Sequence, residues 1–189
     1  MKRLPFAAAA LLAVAACQGD DGNRTEANGA APQAAAKGEQ PKTSLQQALA
    51  ASNDHKTLAN AVKAAGLTET LSGAQPYTLF APTDAAFAKL PAGAANGLLA
   101  PEAKGQLVAL LTGHIVPGLV TADDLGRAIE RGKGKAELAT VGGSNLNFAR
   151  EGESIVVTDA AGGRALVAGA EKLASNGVVH SVDGVLGGR

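Results

Sequence analysis

The chain has 189 residues, of which 46% are hydrophobic, 18% charged and 3% aromatic, with no net formal charge and one cysteine. That length suits one globular domain with a further segment. The charge balance gives no basic footprint for nucleic acid, and a lone cysteine forbids an intrachain disulfide.

The further segment is read at the start. Lys2 and Arg3 form a basic n-region, and Phe6 to Val14 is apolar but too short to span a bilayer. Val14-Ala15-Ala16-Cys17 has the form of a bacterial lipobox, which makes 1–16 a lipoprotein-type signal peptide and Cys17 the lipidated residue. Ordinary cleavage after Ala13-x-Ala15, with Cys17 left as a free thiol, is the alternative. Cleavage leaves 15 bases against 17 acids. Residues 17–41 hold no aromatic and no large aliphatic side chain, so they are expected to form a disordered tether of roughly 25–30 Å average reach. Gln18, rather than Asp, follows the cysteine and favours an outer-membrane destination, on its periplasmic or surface face.

A domain over 42–187 comes next. Ser44 and Gln47 make a capping box ahead of Leu45, Ala48 and Leu49. Leu58, Ala61, Val62 and Ala65 share a face of a helix over 54–65 that stops at Gly66, and 67–71 adds a further turn. Tyr77 to Ala81 reads as a short buried strand, ended by Pro82. Thr83 is placed to cap a brief helix, Asp84 lies near its positive end, and Phe87 and Leu90 share its inner face.

Pro101 opens a buried helix ending at Gly113, and His114 to Val116 is a short strand closed by Pro117-Gly118. Thr121 caps a short helix through Leu125. The period then changes to that of strands, at 137–141, 145–148, 154–158 and 165–167, and Asn176-Gly177 turns the chain into a last strand from Val178 to Leu186. Helices first and a strand meander last predict α+β rather than a parallel βαβ sheet.

Catalytic signatures are sparse. There is no G-x-S-x-G, no dinucleotide or P-loop glycine pattern, and His55, His114 and His180 lack metal-ligand spacing. No cofactor and no metal are implied. Thr83 is explained as a cap, and His114 and His180 as hydrogen-bonded core residues. Asp183 falls on the opposite strand face from His180, so Ser181, His180 and Asp183 make a poor triad.

Three segments resemble the fasciclin (FAS1) domain family. YTLFAPTDAAFAKLP, with Phe80, Pro82, Thr83, Asp84 and Phe87, is similar to its first motif. LTGHIVPGLVTADDL, with His114 and Pro117, is similar to its central segment. ASNGVVHSVDGVL, with Asn176, Gly177, His180 and Asp183, is similar to its second motif. The resemblance implies a wedge-like β-sandwich of about seven strands with helices packed on one side, the first and second motifs adjacent in the core. It also implies an exported interaction or adhesion module rather than an enzyme. Two departures stand out: Gly113 replaces the family's tyrosine before the histidine, and Glu171-Lys172 replaces the Asp-Ile pair linked to integrin binding in animal members.

The reading is therefore a monomeric, lipid-anchored envelope module that binds a protein or glycan and no nucleic acid. One alternative is a hydrolase of an envelope or polymer ester or glycoside using His114 or His180, which needs an exposed histidine beside a carboxylate. A passive scaffold or spacer is the other.

Overall fold

The computed structural model describes residues 41–91, 93 and 97–187. The expected signal peptide, Cys17 and the tether up to residue 40 lie outside the described residues.

Three helices come first: α1 (Leu45–Ala50), α2 (Lys56–Ala65) and α3 (Thr68–Ser72). The Ser44–Gln47 capping box forms, and Gly66 closes α2 in the left-handed conformation at φ 80°, where a Cβ would be strained. Strand β1 (Tyr77–Pro82) leads through Thr83 into α4 (Asp84–Ala88). A single 3-10 turn, Pro101–Ala103, precedes α5 (Lys104–Thr112), which feeds β2 (Ile115–Pro117). The helix capped by Thr121 is α6 (Ala122–Arg131), longer than the short helix expected through Leu125. It continues because Leu125 and Ile129, four apart, both enter the core.

Strands β3 (Lys135–Ala139), β4 (Asn145–Glu151), β5 (Ser154–Asp159) and β6 (Arg164–Val167) form an antiparallel meander. Strand β7 (Lys172–Ala174), absent from the sequence reading, pairs with β8 (Gly177–Val182) as a hairpin across Ser175-Asn176. The main path is seven strands in the order β2-β1-β8-β6-β5-β4-β3, with β7 to one side. Its two ends approach each other, since the Val141 amide donates to the Ile115 carbonyl at 2.8 Å. The sheet thus curls into a near-barrel.

Beside the antiparallel meander, β1 and β8 run parallel, in register from Tyr77 with Gly177 to Pro82 with Val182. Almost a hundred residues separate the two strands, ample for the crossover that a parallel pair needs. Pro82, expected to lie just past the strand, is its last paired residue. It has no amide proton to give, and Thr83 N makes the next bond, to Val182 O at 3.1 Å.

Alternation along β1 divides the core. Leu79 and Ala81 face the helices and join Leu45, Leu58, Val62, Phe87 and Leu111 in one cluster. Phe80 faces the inside of the curled sheet with Phe148, Val157 and Val182, and Leu125 and Ile129 of α6 complete that second cluster. Helices α1 to α5 therefore lie on one side of the sheet, as the resemblance implies. Among the described residues no helix is long and apolar enough to cross a membrane.

Candidate functional site

The parallel pair brings the first and last motifs together residue by residue. Phe80 stands opposite His180 in the register, and their rings stack at 5.3 Å between centroids. Phe148 adds a third ring 5.1 Å from Phe80. His180 Nε2 lies 2.8 Å from the Val120 carbonyl, which fixes the proton on that nitrogen. Only 2% of the residue is exposed, and burial lowers its pKa below the ordinary value.

His114 is fully buried, with both ring nitrogens on backbone. Nδ1 is 2.8 Å from the Leu110 carbonyl, so it carries the proton, and Nε2 accepts the Leu186 amide at 3.1 Å. Burial again lowers the pKa. The ring is a neutral bracket between α5 and the C-terminal segment.

The remaining motif residues are equally occupied. Thr83 Oγ1 accepts from Ala86 N at 3.2 Å, as a helix cap should. Asp84 lies in the first turn of α4 but turns its carboxylate to α2, accepting from Thr57 N at 2.8 Å and Lys56 N at 3.3 Å. Burial pushes this carboxyl up, but the Thr57 and Lys56 hydrogen bonds outweigh it and hold the group below its ordinary value. Phe87 is buried among the helices, and the exposed Pro117 ends β2 opposite Tyr77.

Asn176 makes three bonds from a nearly buried position. Its Oδ1 accepts Leu45 N at 2.8 Å, and its Nδ2 donates to Leu71 O at 3.0 Å and Gly73 O at 2.7 Å. Next to it, Gly177 admits no side chain, because a Cβ would drive into the Tyr77 carbonyl oxygen. Asp183 accepts Leu166 N at 2.7 Å and Lys89 Nζ at 3.1 Å. The Leu166 amide first, and then Lys89, holds its pKa below the ordinary value. Its carboxylate is thus tied to β6 and α4 rather than to His180.

A further chain of polar contacts escapes the sequence. Lys172 Nζ donates to Ser52 Oγ at 3.0 Å, and that hydroxyl lies 2.8 Å from His55 Nδ1. His55 is 1% exposed, and its Nε2 has no hydrogen-bond partner among the described residues. Burial, and then the Lys172 charge, lowers its pKa. No spacing rule joins residues 52, 55 and 172, so only the fold could reveal this group. Glu171 is also engaged, its Oε2 accepting Ala122 N at 2.8 Å at the start of α6. Both residues that stand at the animal adhesion pair's positions thus make bonds within the domain.

Histidine chemistry at the surface is therefore not on offer. The hydrolase alternative needs an exposed histidine with a carboxylate in reach, whereas His55, His114 and His180 are all buried. Among the described residues no group of three or more His, Cys, Asp or Glu is placed to hold a metal. A cleft of about 720 Å³ opens to solvent at the end of α5, lined by Leu98, Leu110, Gly113, Ser144, Asp159 and Leu186 among others.

Comparison with known proteins agrees with this geometry. A family model described as the fasciclin domain matches residues 53–187. Protein sll1483 of Synechocystis is 43% identical over 139 residues, covering 73% of this chain and 70% of that protein. The transforming growth factor-beta-induced protein ig-h3 of Sus scrofa is 34% identical over 143 residues, 75% of this chain but 19% of the larger protein. A solved FAS1 domain pair from the insect cell adhesion molecule fasciclin I superposes with a TM-score of 0.67 at 19% identity. That match covers 77% of this chain and 51% of the pair, and it supports the fold alone. The fold is that of a FAS1 domain. The chain belongs to the fasciclin domain family.

Proposed function

We propose that this protein is an exported FAS1 interaction module, tethered to the cell envelope through lipidated Cys17, that binds a protein or glycan of the envelope or its surroundings. One observation carries the reading: the polar motif residues spend their hydrogen bonds inside the domain. Thr83 and Asp84 cap helices, His114 and His180 hold backbone groups, Asn176 ties α1 to α3, and Asp183 binds β6. Function then rests on the surface that this scaffold presents. Membership of the fasciclin domain family, whose model matches residues 53–187, points the same way.

The test is affinity capture from envelope extract with the tagged mature protein, beside an unrelated lipoprotein of similar charge. A partner enriched on the FAS1 protein alone supports the module. Equal recovery on both would favour a passive spacer and sink the binding reading. The anchor has its own test: Cys17→Ser should move the protein from the membrane to the soluble fraction and abolish labelling with a fatty-acid analogue. Unchanged fractionation and labelling would reject lipidation.

A further inference from the structure

Gly113 lines the cleft at the end of α5. That residue sits at φ −69° and ψ −14°, a conformation any residue adopts, so nothing in the backbone demands glycine. The nearest atoms a Cβ built there would meet are the Leu110 and Ala109 carbonyls at 3.3 and 3.4 Å and Ser144 Oγ at 3.8 Å. Glycine at this point supplies space rather than conformational freedom. The cleft volume of about 720 Å³ lies within the range of small-molecule sites.

Proton bookkeeping defines the polar end of the cleft. Thr140 Oγ1 has one hydroxyl proton and two acceptors in reach, the Ser144 carbonyl at 2.9 Å and Ser144 Oγ at 3.0 Å. In the 3.0 Å contact between the two hydroxyls either oxygen can be the donor, and in both arrangements Ser144 Oγ keeps a lone pair. Ser144 Oγ can therefore accept a hydrogen bond from a guest. The other strong polar group, Asp159, is also an acceptor, and both its oxygens already hold amides, those of Gly163 at 2.7 Å and of Gly187. Leu98, Leu110 and Leu186 supply apolar wall.

We infer that this cleft binds a small, neutral, flat apolar molecule carrying one hydrogen-bond donor, of the phenol class. The ring lies over Gly113 between the leucines, and its hydroxyl donates to Ser144 Oγ. A guest there also touches Leu186, whose amide is held by His114 Nε2, so occupancy reaches the core through one hydrogen bond.

The test uses p-cresol as probe and toluene as its donor-free counterpart, titrated into ¹⁵N-labelled protein. Saturable amide shifts centred on Gly113, Ser144, Ala160 and Leu186 are expected, with p-cresol favoured over toluene about fivefold, the effect of one neutral hydrogen bond. Gly113→Phe should set a ring in the probe's place beside Ser144 and remove binding of both. Ser144→Ala should keep toluene binding and erase the preference for p-cresol, which decides the matter even if the phenylalanine variant does not fold. Absence of saturable shifts, shifts centred elsewhere, or a preference that survives Ser144→Ala would overturn the assignment.

Discussion

The Asp84 carboxylate caps a helix that begins before it in the chain, accepting the Thr57 amide at 2.8 Å across 27 positions. His55, the residue at the N-cap position of α2, makes no capping bond of its own. The first motif thus closes two helices with adjacent residues, Thr83 for α4 and Asp84 for α2.

Asp84→Ala should cost about 1–2 kcal/mol, the loss of a helix cap. Asp84→Asn, whose one amide oxygen can still accept the Thr57 amide while its NH2 loses the Lys56 bond, should lose less. Urea denaturation measures the difference, and hydrogen exchange should locate it in the first turn of α2. Equal losses for the two variants would mean that charge rather than capping is at work.

Phe80→Ala should cost about 3–5 kcal/mol, since a fully buried ring between Phe148 and His180 leaves a cavity. Thr83→Ala should cost about 1 kcal/mol, the ordinary price of one lost cap. Denaturation of both variants checks the ranking. A Thr83 variant of unchanged stability that had lost partner binding would show the corner to be a recognition element instead.

Local physics explains how much of this was legible in the sequence. The Ser44 capping box, the Gly66 stop, the strand at Tyr77 and the adjacency of Val178 all follow from short-range patterns or from the family resemblance. Strand β7 has only three residues and no alternation to betray it. The sequence places Asp84 at its own helix because it offers no view of α2 beside it. The Lys172–Ser52–His55 chain and the cleft at Gly113 depend on contacts between distant segments, and no periodicity encodes those.

Asn176→Ala removes the partner of three backbone groups, Leu45 N, Leu71 O and Gly73 O, near the meeting point of α1, α3 and β8. Leaving such groups unpaired should cost about 3 kcal/mol, more than any surface cap. Asn176→Asp should also be destabilising, because a carboxylate can accept from Leu45 but cannot donate to the two carbonyls. Thermal unfolding of both variants tests this. An aspartate variant as stable as the parent would show that the donated bonds add nothing.

Acid should weaken the fold in two stages. Burial lowers the pKa of His55, His114 and His180 from 6.5, so in the folded protein each resists a proton that the unfolded chain accepts. Their contribution to stability is complete above 6.5 and is lost as pH falls through each folded value. Asp84 and Asp183 are lowered from 3.8, so their contribution is present above that value and is lost only as pH falls below it. Urea midpoints should hence decline first below about pH 6.5 and again below about pH 4. His114→Gln should be less stable at neutral pH but should flatten the first decline. A first decline of the same depth in that variant would place the acid-sensitive proton uptake on His55 and His180.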